Sequence, residues 1–269
     1  MKKPIIHFSH GNSYPAGSYR QFFSYLQGQF DIRSVDMYGH HPQYPVTDGW
    51  PKLVEQLITQ VESYGEPVIL LGHSLGGMLS MMAAKQRPDL VRCVVMLDSP
   101  VVAGWRAVLL RMSKGKRWSD SISPAKFSLK RRNVWPDATA AHAHFVGKPM
   151  FAAWAPGVLE DYLEHGLEPH PEGVQLRFRR EIETDIYRGL PHHLGTLMNS
   201  RYPVPIGFIG GVDSAELRQA GLGATRALVG GHFNEIEGGH LFPMESPEKA
   251  ARLTRDMIDG LLKKARAIA

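Results

Sequence analysis

Short, unbroken apolar runs alternate with segments of helical spacing along the first hundred residues, and again from residue 204 onward. "PIIHFS" (4–9), "IRSVD" (32–36), "PVILLG" (67–72) and "VRCVVMLD" (91–98) read as strands, and their continuous apolar character predicts cover on both faces. Between them, "SYRQFFSYLQGQ" (18–29) places Tyr19, Phe22, Phe23 and Leu26 on one face of a helix. "DGWPKLVEQLITQVESY" (48–64) repeats that spacing with Trp50, Leu53, Val54, Leu57, Ile58 and Val61. "LGGMLSMMAAKQRP" (75–88) predicts a helix stopped by Pro88. The alternation resumes with a strand at 204–211, a short helix at 214–221, a last strand within 226–238 and a closing helix at 246–265. Ser246 is the expected N-cap of that last helix, with Pro247 at its first position.

Strand-helix alternation with apolar strands predicts an α/β class, a mostly parallel sheet flanked by helices. From 101 to 200 the pattern lapses into helical fragments broken by Pro and Gly, with few strand candidates. The expected organisation is therefore a core of 1–100 and 201–269 that carries a mostly helical insertion, 101–200. A length of 269 residues suits one large domain with an insertion, and 43% hydrophobic with 21% charged residues supplies an ordinary core. Trp105, Trp118, Trp135 and Trp154 fall in the insertion with Phe127, Phe145, Met150 and Phe151. They are expected to divide between the insertion's own core and an apolar roof over a site.

The formal charge of +5 is concentrated. Arg111, Lys114, Lys116, Arg117, Lys126, Lys130, Arg131 and Arg132 are opposed only by Asp120. Such a run is read first as a solvated face and second as a patch for an anionic substrate, nucleic acid or membrane surface. No zinc-finger spacing or RNA-binding aromatic signature accompanies it, so nucleic acid is not an expected partner. The single Cys93 excludes an intrachain disulfide, and its apolar run predicts a buried thiol. The first residues lack a secretory apolar stretch and no run approaches a membrane span, so the cytoplasm is the expected compartment.

The candidate chemistry starts at "LLGHSLGGMLS" (70–80). Gly72-His73-Ser74-Leu75-Gly76 is G-x-S-x-G between a predicted strand and a predicted helix, the setting of a nucleophile on a sharp turn. A serine hydroxyl needs a base, and that base needs an acid. Asp213 follows the strand "IGFIGG" and His240 follows the last strand, which gives the order Ser, Asp, His. Asp98, at the end of "VVMLD", is the alternative acid. Two oxyanion donors are expected: the N–H of Leu75, after the nucleophile, and the N–H of Asn12, after His10-Gly11 in the first strand-to-helix loop. His232 falls before or within the last strand and is the weaker base, and His73 reads as packing. The pairs His40-His41, His142-x-His144 and His192-His193 lack metal-ligand spacing, so no metal is expected.

The segments "HGN", "VDMYGHH", "GHSLGG", "GGVDS" and "GGHLFPMESPE" resemble the α/β-hydrolase superfamily, in its lipase, esterase and haloperoxidase-like branch, over nearly the whole chain outside the insertion. "VDMYGHH" departs from the usual D-x-x-G-H-G in carrying His41 for the last glycine. The resemblance implies an α/β-hydrolase fold with 101–200 as a helical cap. It implies a carboxylic ester or related acyl substrate, no cofactor and an acyl-enzyme on Ser74 with His240 and Asp213. Ser74 occupies the place of the Asp nucleophile of epoxide hydrolases and haloalkane dehalogenases. Thioesterase, C–C hydrolase, lactonase, perhydrolase and lyase chemistry share the triad and stay open, as does a non-catalytic binding module on the same scaffold. A homodimer is compatible with the sequence.

Overall fold

A computed structural model of the chain describes residues 2–113, 125–198 and 201–268. Six parallel strands form the sheet: β1 (Ile5–Ser9), β2 (Asp31–Ser34), β3 (Val68–His73), β4 (Val91–Leu97), β8 (Ile206–Gly211) and β9 (Phe233–Ile236). Their spatial order is β2-β1-β3-β4-β8-β9. The chain steps one way from β1 to β2, then returns to place β3 on the other side of β1. That reversal opens a crevice at the carboxyl ends of β1 and β3, where ligands bind in open α/β sheets.

The apolar runs explain the layers. Successive strand residues point to opposite faces, so one continuous run feeds two cores. Ile6, Phe8, Ile69, Leu71, Val95 and Ile209 pack on one face with Phe22 of α1 (Arg20–Ser24) and Ile258 and Leu261 of α13 (Pro247–Ile268). Ile5, Val68, Leu70, Val94, Met96 and Phe208 pack on the other, against Leu53, Val54 and Leu57 of α2 (Pro51–Glu62) and Leu79 of α3 (Leu75–Gln86). Cys93 is buried in the first of these cores, as its apolar run predicts. The last helix begins at Pro247, and the Ser246 carbonyl accepts from the Ala250 N–H, as its place ahead of the first turn requires.

Two departures from the expected elements have local causes. The helix expected over 18–29 is shorter: after Ser24 the chain tightens, with the Leu26 N–H reaching back only to the Phe23 carbonyl. That tightening brings the Asp31 N–H onto the Pro4 carbonyl and starts β2 beside β1. After β8, a second helix, α11 (Gly223–Val229), follows α10 (Ala215–Ala220).

The segment between β4 and β8 is not only helical. It carries α4 (Gly104–Ser113), α5 (Ala125–Lys130), α6 (Ala138–Val146), α7 (Pro149–Ala152), α8 (Val158–Gly166) and α9 (Arg180–Arg188). It also carries a three-stranded antiparallel sheet of β5 (Val134–Trp135), β7 (Gly173–Leu176) and β6 (Leu167–His170). Trp135, Phe145, Phe151, Trp154 and Tyr162 are buried, and their successive ring centroids lie 4.5–5.8 Å apart. They belong to the same buried cluster as Phe8, Tyr19 and Phe22 on the first face of the sheet, whereas Trp105 and Met150 are exposed. Trp118 and Lys114–Lys116–Arg117 lie outside the described residues. On α4, Trp105, Val108, Leu109 and Met112 recur at three-four spacing and are all more than half exposed. Among the described residues no helix is long and apolar enough to cross a membrane.

Candidate active site

Ser74 sits between the end of β3 and the first turn of α3, with φ 52° and ψ −115°. Positive φ strains any L-residue with a β-carbon. The flanking glycines permit the turn: a Cβ on Gly72 would lie 2.2 Å from the Gly76 carbonyl, and one on Gly76 would lie 1.9 Å from the Ser9 carbonyl oxygen. The Ser74 N–H donates to the Leu97 carbonyl (2.9 Å), which ties the turn to the end of β4.

That tie brings Asp98 close to Ser74. Ser74 Oγ–H donates to His240 Nε2 at 3.0 Å, and His240 Nδ1–H donates to Asp98 Oδ2 at 2.6 Å. Asp98 is fully buried, itself at positive φ (45°), and its carboxylate has further donors. The Gly211 N–H donates to Oδ1 (2.7 Å) and the Ser214 hydroxyl to Oδ2 (2.6 Å). These bonds offset the desolvation of a buried charge.

The acid expected at Asp213 is therefore elsewhere. Asp213 is exposed, and its backbone N–H bonds the Gly238 carbonyl. The turn after β8 directs the next residue, Ser214, inward onto Asp98 and leaves the Asp213 side chain on the surface. β4 lies between β3 and β8, so the end of β4 is the nearer support for an acid facing the Ser74–His240 pair. A usable signal was present, since Asp98 directly follows a strand apolar except for Arg92, the next strand after the helix behind Ser74.

The imidazole is set by opposing effects. Burial disfavours its charged form, but the hydrogen bond and charge of Asp98 prevail, helped by Glu216 and Glu245, so its pKa is raised. Glu216 Oε2 lies 3.9 Å from Nδ1, and Glu245 Oε2 accepts the Gly239 N–H (2.9 Å) just before the ring. Asp98, Glu216 and His240 could each offer a metal one atom, but this is the same set that faces Ser74.

His73 does more than pack. Its Nε2–H donates to the His240 carbonyl (2.8 Å), and its Nδ1 accepts from the Tyr19 hydroxyl (2.7 Å). The Tyr19 oxygen in turn accepts the Gly11 N–H (3.0 Å). Burial depresses the His73 pKa to about 3, so the ring stays neutral and this chain of bonds joins the first loop to the backbone of His240. His10 anchors the same loop: its Nδ1–H donates to the Gly11 carbonyl and its Nε2 accepts the Tyr38 N–H, both at 2.8 Å.

Asn12 and Leu75 lie on the two sides of the crevice. Leu75 opens α3, so its N–H belongs to the positive end of a twelve-residue helix. Neither the Leu75 N–H nor the Asn12 N–H meets an acceptor among the described residues. The Asn12 side chain reaches up into the insertion, where its amide donates to the Glu183 carbonyl (3.1 Å) and contacts the Tyr187 hydroxyl. His41, which replaces the usual glycine, is on the surface, while neighbouring His40 accepts the Arg179 N–H (3.1 Å) and docks that loop to the insertion.

Comparison with known proteins places this geometry. The pimeloyl-[acyl-carrier protein] methyl ester esterase of Xanthomonas oryzae pv. oryzae is 24% identical over 193 residues, 70% of this chain and 71% of that protein. The 2-(acetamidomethylene)succinate hydrolase of Mesorhizobium japonicum is 28% identical over 158 residues, 55% of this chain and 56% of its own length. The crystal structure of E-2-(acetamidomethylene)succinate hydrolase superposes with a TM-score of 0.75 at 22% identity, covering 96% of this chain and 92% of that one. At that identity the superposition speaks for the fold. The model of the alpha/beta hydrolase family matches residues 8–253, and the chain belongs to that family.

Proposed function

We propose that the protein is a serine hydrolase that cleaves a carboxylic ester or related acyl bond of a small molecule through an acyl-enzyme on Ser74. The observation that carries this reading is the aligned series Ser74 Oγ, His240 Nε2, His240 Nδ1 and Asp98 Oδ2, bonded at 3.0 and 2.6 Å. His240 takes the hydroxyl proton as Ser74 Oγ attacks the acyl carbon. Asp98 holds the imidazole in the tautomer with Nε2 bare and stabilises the imidazolium that forms. The N–H groups of Leu75 and Asn12 receive the oxyanion. The imidazolium returns its proton to the leaving group, and His240 then activates the water that releases the acid. The segment between β4 and β8 acts as a cap, since its Glu183 and Tyr187 hold the Asn12 side chain over the crevice. The hydrolytic activities of the curated relatives agree with this reading.

Intact-mass spectrometry after treatment with a fluorophosphonate probe tests it. One adduct on wild type and none on Ser74→Ala is expected, together with turnover of 4-nitrophenyl esters by wild type. Folded wild type that neither labels nor turns over any ester would overturn the mechanism. A panel of oxygen esters, thioesters and lactones then decides the bond cleaved.

A further inference from the structure

Among the basic residues of the run at 111–132 whose side chains are described, Arg131 alone is not exposed. Lys130 and Leu129 are exposed and Arg132 lies over the Trp135 ring (5.7 Å), but Arg131 turns inward and keeps only 20% of its side-chain exposure. Its Nη2 is 2.8 Å from Glu183 Oε2, out of line for a hydrogen bond, and its buried Nε has no acceptor among the described residues. A guanidinium offers five donors in a fixed fork, so this one is electrically balanced but left with unused donors.

The surroundings of Arg131 lead to the active site. It is within electrostatic reach of the hydroxyls of Tyr14, Tyr162 and Tyr187. Tyr14 is two residues beyond Asn12, and Tyr187 touches the Asn12 amide while feeling the charge of Glu216, which stands 3.9 Å from His240 Nδ1. Contacts join Arg131 to the crevice: it stands 2.8 Å from the Glu183 carboxylate, and the Glu183 carbonyl accepts the Asn12 amide at 3.1 Å. The guanidinium with spare donors is thus one residue removed from Asn12, whose N–H the proposed mechanism gives to the oxyanion.

We propose that Arg131 anchors a free carboxylate on the substrate, so that the preferred substrates are acyl compounds carrying a second, ionised carboxyl group. A carboxylate supplies the in-line acceptors that Glu183 does not, and it matches the guanidinium fork in a bidentate manner. This inference rests on the hydrolase reading above and gives it a substrate class.

The test compares kcat/KM for mono-4-nitrophenyl succinate, glutarate and adipate with the 4-nitrophenyl butanoate, pentanoate and hexanoate esters. At least one half-ester is expected to be favoured over its neutral counterpart by about 10- to 100-fold, the worth of a charge-assisted hydrogen bond pair. Arg131→Gln should abolish the preference, read as the ratio of half-ester to neutral ester within the same variant, and Arg131→Lys should retain part of it. Because Arg131→Gln strands Glu183, the double variant Arg131→Gln/Glu183→Gln provides a charge-balanced control. Glu183→Gln alone should increase the preference, by releasing the guanidinium. No half-ester favoured, or a preference that survives in the double variant, overturns the inference while turnover of neutral esters leaves the hydrolase reading standing. Loss of fluorophosphonate labelling on wild type would instead remove the hydrolase reading itself.

Discussion

The parallel sheet and the segment inserted between β4 and β8 treat their buried polar groups differently. On the sheet, the Asp98 carboxylate receives donors from His240, Gly211 and Ser214, and His73 is bonded through both ring nitrogens. In the insertion, Arg131 Nε, Trp135 Nε1 and Trp154 Nε1 are buried without an acceptor among the described residues, and α4 turns a row of apolar side chains to solvent. A satisfied network fixes geometry, because any shift breaks a bond that burial makes expensive to lose. An unsatisfied one is free to gain a partner. Under the proposed mechanism the reacting groups stand within the satisfied network around Asp98 and His73, and recognition falls to the segment that holds Arg131.

The sharpest way to break that contrast is to exchange the acid. Asp98→Asn is expected to lower kcat by about 10⁴-fold, the usual loss when the orienting carboxylate of such a triad becomes an amide. Asp213→Asn should stay within about two-fold of wild type, a change too small to matter for an exposed side chain. Steady-state kinetics on one ester decides between them. Next in size is Trp135→Ala, which removes a buried ring from the insertion and should cost about 3–5 kcal/mol there. Hydrogen exchange is expected to show lost protection in α6, α8 and β5–β7 with β1, β3 and β4 unchanged. A uniform loss would mean that the two regions unfold as one unit.

A smaller effect concerns pH. His240 acts as a base only when neutral, and its pKa is raised, so kcat/KM should climb with pH along a limb centred above 6.5. Glu216→Gln removes a nearby negative charge that favours the imidazolium, so the limb should move to lower pH. A limb that stays in place would show Glu216 to be electrostatically silent. Smallest is Val108→Ser on the exposed face of α4, expected to change stability by no more than about 0.5 kcal/mol in thermal melts. A larger loss would reveal that the row is covered.

The same contrast governed what the sequence disclosed. Strands buried on both sides are apolar at nearly every position, so β1, β3, β4 and β8 stood out, and the turn around Ser74 was marked by glycines that nothing larger can replace. The hairpin of β6 and β7 did not stand out, because "LEPH" and "GVQL" are half-buried and show no alternation. Helix α11 was hidden by the glycines at 221 and 223, which read as a break. Asp98 and Asp213 obey the same chain order relative to Ser74 and His240. Only the spatial order of β3, β4 and β8 separates them, and no local pattern encodes which strands become neighbours. Arg131 was submerged in a run of like charges in which its neighbours Lys130 and Arg132 are exposed.

The backbone at Ser74 has a consequence for anyone who would harden this protein against heat. A φ of 52° on a residue with a β-carbon costs about 1–3 kcal/mol. Glycine would be relieved of that cost and would give back only about 0.5–1 kcal/mol through its freer unfolded chain. Ser74→Gly is thus expected to melt above wild type while lacking the nucleophile. A library screened for thermal tolerance alone would be enriched in inert molecules, so each round needs a paired assay of turnover.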